Sequence, residues 1–132
     1  PRVAAFHFVF VLDCSGSMSN RDCSPTAETI FGKTLQGCCN NRLGSVLQAI
    51  DNFIKTRISS TCRQNISTTI GNDIVSIIFF NGSSEVLFEN KSIFETDFIQ
   101  NKLVEKRAGG LTCFSKAIET AEQIIDNHFD SS

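Results

Sequence analysis

The chain has 132 residues, a length that suits one domain or part of one, and 41% of them are apolar, which is enough for a hydrophobic core. The net charge is −2, with acidic and basic residues mixed along the chain, so the sequence predicts no basic surface for nucleic acid or for an anionic membrane. No apolar stretch approaches the roughly 18 residues that a membrane-spanning helix needs.

Residues 4–13 are predicted to form the first strand. Residues 8–12, FVFVL, are an unbroken apolar run, which is typical of a parallel strand buried on both faces. Where this strand must end, Asp13 is followed by Ser15 and Ser17, so a carboxylate and two hydroxyls recur at alternate positions. Small oxygen-bearing side chains beside a glycine favour a site for a hard cation.

Residues 19–41 are polar, with one proline, two glycines and three cysteines, and we predict an irregular, cysteine-containing insertion with one helical turn over 27–31. The cysteines at 23, 38 and 39 could hold zinc, but their spacing matches no paired zinc pattern and adjacent cysteines ligate one metal poorly. The other interpretation is a surface loop with free thiols or one local disulfide.

A helix and two paired strands follow. Residues 42–58 place apolar side chains at i, i+3, i+4 and i+7, which predicts an amphipathic helix, and we expect a loop over 59–72. Residues 73–81 are rich in β-branched and aromatic side chains and predict a second buried strand. The Asn-Gly pair at 81–82 is a hairpin signal, so 84–89 should pair with this strand as a short antiparallel edge strand.

Two further helices are predicted on either side of a glycine-rich turn. Thr96 is a suitable N-cap for a helix with apolar positions over 98–104. Residues 108–112, AGGLT, form a flexible turn, and 114–129 form another amphipathic helix. Thr112 therefore lies at the start of the last helix, where a simple helix cap is the plainest explanation for it.

The two buried strands are predicted to run parallel, because each is apolar throughout and needs covering helices on both faces. Two central strands and one edge strand make a thin sheet. We therefore expect residues 1–132 to be a single α/β domain that is incomplete at its C-terminal end.

Several other sites that begin at a strand end are disfavoured by spacing. The turn after Asp13 has neither the GxxxxGK[ST] pattern of a phosphate-binding loop nor the GxGxxG pattern of a dinucleotide fold. Ser15 stands where a haloacid-dehalogenase motif needs a second aspartate, and the flanks of both serines differ from GxSxG. A tyrosine-phosphatase loop would need an arginine six residues after Cys14, at the position of Asn20.

Two separated motifs resemble the metal-ion-dependent adhesion site of von Willebrand factor type A domains. Asp13, Ser15 and Ser17 match the DxSxS motif of that family, and Thr112 matches its threonine after a glycine-rich turn. The order of strands and helices is also similar, over roughly the first two thirds of a family domain. The resemblance implies a Rossmann-like, doubly wound, mostly parallel sheet with an antiparallel edge strand.

The same resemblance implies that this fold is truncated at its C-terminus, because the second aspartate of the family's site follows a strand that this sequence does not reach. It also implies a Mg²⁺ or Mn²⁺ ion held by Ser15 and Ser17, by Asp13 often through water, and by Thr112 directly or through water. Mg²⁺ favours octahedral oxygen coordination and retains waters, so one open position could accept a Glu or Asp from a partner protein.

The resemblance thus implies a divalent-metal-dependent module for adhesion or interaction. The sequence shows no general base beside an activated nucleophile, so it does not suggest an enzyme. One alternative is a regulatory or scaffolding domain of a larger protein, similar to those of chelatase subunits or of kinases that carry such domains. Another is a degenerate domain that binds no metal. Because no cysteine pair stands out as a structural disulfide, we favour an intracellular protein.

Overall fold

The computed structural model describes residues 6–63, 73–111 and 114–131, and within them three strands form one mixed sheet. The strand order follows the chain: the first strand pairs in parallel with the second, and the second pairs antiparallel with the third. This arrangement confirms an α/β fold with an antiparallel edge strand. The strands are β1 His7–Asp13, β2 Ile74–Phe80 and β3 Ser84–Ser92.

Four α-helices lie in the described residues, and a short 3-10 helix, Gly16–Ser19, follows β1. The helix predicted over 42–58 extends to residue 63, and the one predicted over 114–129 extends to residue 131. Among the described residues, no helix combines the length and the apolar character needed to cross a lipid bilayer. The helices are α1 Ile30–Cys38, α2 Arg42–Arg63, α3 Thr96–Leu103 and α4 Phe114–Ser131.

β2 is the central strand, and its side chains alternate between two buried layers. Val75, Ile77 and Phe79 are fully buried on the face that carries α1, α2 and α3, whereas Ile78 and Phe80 pack against α4 on the opposite face. Helices therefore lie on both faces of the sheet. A strand covered on both sides needs apolar residues at nearly every position, which explains why the sequence of β2 shows no polar alternation.

β1 is less buried than its sequence predicts. All seven of its residues are half-buried, although the unbroken apolar run predicted burial on both faces. The physical reason is that β1 lies at an edge of the sheet, so that among the described residues a neighbouring strand protects only one of its sides. Phe8 and Phe10 are partly covered by Phe53 of α2, whose ring centroid lies 5.0 and 5.5 Å from theirs.

The region 19–41 contains more helix than predicted. Its sequence predicted one helical turn, but α1 occupies nine of its residues. Thr29 caps the helix by accepting the Gly32 N–H at 2.9 Å, and Leu35 is fully buried in the core. Gly32 lowers helix propensity and so concealed the helix, but a Cβ at this position would lie 2.0 Å from Thr26 O. The glycine is required by close packing.

The parallel register places the carboxyl ends of β1 and β2 side by side. Asp13 lies opposite Phe80, and each is the last residue of its strand. Just beyond, Cys14 N donates to Phe80 O at 2.8 Å. Residues that follow the two strands therefore meet at one edge of the sheet, as is usual for sites in open α/β folds.

Candidate functional site

The loop after β1 is folded around the carboxylate of Asp13. Asp13 Oδ1 accepts the backbone N–H of Ser15 at 2.8 Å, which turns the chain sharply at the strand end. The 3-10 helix then begins, and Met18 N donates to Ser15 O at 3.0 Å. Asp13 is half-buried, and its second oxygen, Oδ2, has no hydrogen-bond partner among the described residues.

The two predicted serine ligands lie next to each other. Ser15 Oγ is 3.4 Å from Ser17 Oγ. Ser15 is only 2% exposed, whereas Ser17 is exposed, so the pair of hydroxyls is open to solvent on one side. Together with Asp13 they place three oxygen-bearing side chains in one short loop, the type of donor that hard cations prefer.

The glycine-rich turn is held directly against this loop. Gly109 N donates to Cys14 O at 2.8 Å, and Gly16 N donates to Gly110 O at 2.9 Å. Gly110 has a φ of +86°, a conformation that glycine adopts without the steric strain of a side chain. The structure thus brings together two motifs that are far apart in the sequence. Thr112, the fourth predicted ligand, lies outside the described residues.

Asn81 contacts the glycine turn from its other side, although its sequence context predicted only a hairpin. Its Nδ2 donates to Gly109 O at 3.1 Å, and its Oδ1 accepts the backbone N–H of Ser83 at 3.1 Å. The signal that could have identified it is its position. It follows β2 directly, just as the DxSxS loop follows β1, and residues after adjacent parallel strands lie at the same edge.

The sequence profile of the von Willebrand factor type A domain matches residues 8–131, nearly the whole chain. The chain belongs to the von Willebrand factor type A (vWA) domain family. This match confirms the family that the two motifs predicted. Domains of this family mediate protein interactions, which indicates an interaction module.

Solved structures share the fold of this vWA domain at low sequence identity. An uncharacterized membrane spanning protein from Vibrio fischeri is 17% identical, with a TM-score of 0.62, over 92% of this chain and 50% of that chain. The PilB minor pilin from Streptococcus sanguinis is 17% identical, with a TM-score of 0.64, over 92% of this chain and 26% of the pilin. A point mutant of that pilin is 20% identical, with a TM-score of 0.59, over 89% and 25% of the two chains.

The vWA chain therefore spans half or less of the length of these solved chains, and at this identity the likeness concerns the fold alone. A comparison with curated proteins gave no significant match.

Cys14 lies within the candidate site, but its environment keeps the thiol protonated. Burial raises the pKa of the Cys14 thiol, the ammonium of Lys106 opposes this effect, and the charges of Asp13 and Glu85 reinforce it. Lys106 and Glu85 form an ion pair. A buried thiol with a raised pKa is a poor nucleophile at neutral pH.

For the cysteines of the 19–41 region, the described residues give no support to the zinc alternative. Within the part of the chain that the structure describes, no three His, Cys, Asp or Glu side chains cluster so as to hold a metal. Cys23, Cys38 and Cys39 are free thiols there, as is Cys14. The candidate vWA site differs in kind from such a cluster, because its donors are one carboxylate and several hydroxyls.

Proposed function

We propose that this vWA domain is a divalent-metal-dependent protein-binding module for adhesion or interaction. Asp13, Ser15, Ser17 and Thr112 would hold a Mg²⁺ or Mn²⁺ ion that ligates an acidic residue of a partner protein. One arrangement carries the proposal: the Asp13 carboxylate, with one oxygen unpartnered among the described residues, lies in a loop with two adjacent hydroxyls and against the turn that leads to Thr112.

The donor set fits a hard cation. Its side chains offer carboxylate and hydroxyl oxygens, which suit Mg²⁺ and Mn²⁺, and the neighbouring thiol of Cys14 is not required as a ligand. Backbone hydrogen bonds of Cys14 to Phe80 O and from Gly109 N fix the loop on both sides. The buried hydroxyl of Ser15 lies on the protein side of the site, and the exposed Ser17 lies on the solvent side.

The charge of the site suits an acidic partner. Asp13 is the one formal negative charge among the described candidate ligands, and the nearby Glu85 forms an ion pair with Lys106. A bound divalent ion would supply an electrophilic centre whose charge is only partly neutralised, with a position open to a partner's carboxylate. A Glu or Asp side chain would complete the charge balance, and the loops around the site would provide the remaining contacts.

Binding rather than catalysis is the proposed role. The side-chain hydroxyl of Ser15 contacts that of Ser17, and among the described residues no imidazole, amine or carboxylate forms a hydrogen bond with it to act as a general base. The Cys14 thiol is buried. Both observations support a site that binds a ligand without activating a nucleophile.

The doubly wound layout and the continuation of the domain belong to the same proposal. The half-burial of β1 and its position at an edge of the sheet support a further strand beside it. Such a strand, ending in the Asp-Gly pair that the resemblance implies, would cover the apolar side chains of β1 and bring a second aspartate to the site.

Calorimetric titration of the vWA domain with Mn²⁺ and with Mg²⁺ tests the proposal. We expect the wild type to bind one ion with saturable heat and to gain thermal stability on binding. Asp13→Ala should lose both effects, because the charged ligand is removed. Ser15→Ala and Ser17→Ala should each weaken binding about tenfold or more, which corresponds to ~1.4 kcal/mol.

Asp126→Ala and Ser24→Ala are matched controls. Both residues are exposed, and neither side chain forms a hydrogen bond or an ion pair within the described part of the chain. Both variants should titrate like the wild type. A wild type that gives neither heat nor a thermal shift beyond those of Asp13→Ala would refute metal dependence and leave the degenerate domain as the better account.

The open coordination position of the proposed metal ion is tested with a pair of peptides. A short peptide with one glutamate should bind the Mn²⁺-loaded chain more tightly than the same peptide with glutamine, and excess EDTA should abolish the difference. Equal binding of the two peptides would contradict a metal–carboxylate contact while leaving the metal titration valid.

A further inference from the structure

Asn81 stands at the junction of three segments of the site edge. It is the first residue after β2, and its own backbone N–H donates to Ser83 O at 2.9 Å. Its Oδ1 accepts the Ser83 N–H, which orients the side-chain amide so that Nδ2 points to the glycine turn and donates to Gly109 O. A three-residue turn thus fixes the direction of one donor.

The fit between Asn81 and Gly110 is close. A Cβ built on Gly110 would lie 3.3 Å from Asn81 Nδ2 and 3.5 Å from its Cγ, so the amide packs against a residue that has no side chain. On its other side, the same turn exchanges hydrogen bonds with Cys14 and Gly16 of the DxSxS loop. The glycine turn is therefore held between the loop after β1 and the residue after β2.

We propose that Asn81 is a positioning residue for the metal site, an inference that rests on the proposed function. By holding Gly109 and Gly110, Asn81 keeps the glycine turn against the DxSxS loop, which carries three of the proposed ligands. Asn81 acts through the glycine turn and is not itself a ligand. Loss of its Nδ2 donor should loosen the turn and weaken metal binding, while Asp13, Ser15 and Ser17 keep their local contacts.

Asn81→Ser isolates this contact from the role of Asn81 in the hairpin. A serine hydroxyl can still accept the Ser83 N–H in a turn of the same type, but it is too short to replace the bond to Gly109 O. Asn101→Ser is the matched control, because Asn101 is exposed on α3 and its side chain has no hydrogen bond among the described residues. Urea denaturation of both variants shows whether global stability has changed.

Hydrogen exchange of the metal-free chain in EDTA measures directly how strongly the glycine turn is held against the loop. The Gly109 amide donates to the DxSxS loop, and the Gly16 amide donates to the glycine turn. Both amides should exchange about fivefold to tenfold faster in Asn81→Ser, as expected when one hydrogen bond is lost. The Mn²⁺ affinity of the same variant should fall about tenfold. Asn101→Ser should match the wild type in both measurements.

The two measurements separate the possible failures. Unchanged exchange at Gly16 and Gly109 in Asn81→Ser would show that Asn81 does not hold the turn. Faster exchange with an unchanged Mn²⁺ affinity would overturn its role at the metal. If the wild type binds no Mn²⁺, the proposed function is wrong and the positioning role falls with it, whereas the exchange data still decide whether Asn81 holds the glycine turn.

Discussion

Two aspartates mark opposite ends of the parallel strand pair, and their surroundings differ. Asp73, just before β2, is 2% exposed, and both of its oxygens are used. Its Oδ1 accepts the N–H of Phe6 at 2.9 Å, and its Oδ2 pairs with Arg57 Nε at 2.7 Å. Asp13, at the end of β1, is half-buried, and the described residues offer its carboxylate only the Ser15 N–H.

The two carboxylates differ in the counter-charge that the described residues supply. At Asp73 the protein supplies the cation, so the carboxylate joins the residue before β1 to α2 and to the start of β2 and stabilises the fold. At Asp13 the described residues supply no ion-pair partner, so the carboxylate is available to a cation from solution. The presence or absence of an internal counter-charge therefore separates the structural aspartate from the candidate ligand.

The largest effect is expected for Asp73→Asn. An amide cannot satisfy two donors, so its NH2 group must face either the Phe6 N–H or Arg57, and the buried charge pair is lost. We expect the free energy of unfolding to fall by about 3 kcal/mol in urea denaturation. The Mn²⁺ affinity of the folded protein should stay unchanged, and a loss below about 1 kcal/mol would contradict a structural role for Asp73.

Gly110→Ala should have the next largest effect. The positive φ of Gly110 strains any residue with a Cβ, so we expect a loss of about 1–2 kcal/mol. Because this turn lies against the DxSxS loop, Mn²⁺ affinity should fall as well. Gly37→Ala is the control, since a Cβ on this helical glycine meets nothing within 4 Å. It should be neutral or stabilise the protein by up to about 1 kcal/mol.

Asp13→Asn should change stability less than either of these. The amide oxygen can still accept the Ser15 N–H, and no internal ion pair among the described residues is broken. We expect the free energy of unfolding in EDTA to stay within about 0.5 kcal/mol of the wild type. A loss as large as that of Asp73→Asn would show that Asp13 is a structural residue, and the comparison of the two aspartates would fail.

The smallest effect concerns pH at the Asp73 end of the sheet. Burial, together with neighbouring His128, lowers the pKa of His7, whose Nε2 lies 2.8 Å from Ser76 Oγ. The unfolded chain takes up a proton near pH 6.5 and the folded chain does so only at lower pH, so stability falls as pH decreases below about 6.5 and levels off below the folded-state pKa.

His7→Gln tests this dependence, because the amide can keep a hydrogen bond to Ser76 without titrating. Urea denaturation at pH 5 and pH 7.5 should show a smaller loss of stability at acid pH in the variant than in the wild type. Identical losses in the two proteins would rule out a contribution from His7.

The two ends of the sheet were not equally predictable from sequence. Asp13 is a predicted ligand because a carboxylate and two serines after an apolar strand form a recognisable local pattern. The role of Asp73 was not predicted from the sequence, because its partners Phe6 and Arg57 are distant in sequence. They reach it only through the parallel register and the packing of α2. Asn81 was missed for the same reason, since its contact with Gly109 depends on tertiary structure.

Local patterns also predicted the strands and the amphipathic helices better than the region 19–41. The strand cores and the helices that follow residues 42 and 114 have strong apolar periodicity, and tertiary packing preserved them. In α1, a glycine that the packing requires masked the helical pattern. The half-burial of β1 was not predictable from its apolar run, because the run does not specify how many neighbouring strands are present.

Mn²⁺ binding by the wild type, Asp13→Asn and Asp73→Asn tests the division between the two aspartates most directly. Electron paramagnetic resonance of free Mn²⁺ gives the affinity at a temperature where all three proteins are folded. We predict that the wild type and Asp73→Asn bind one ion with similar affinity, and that Asp13→Asn binds at least about tenfold more weakly. Equal binding by Asp13→Asn and the wild type, or no binding by the wild type, would contradict the account.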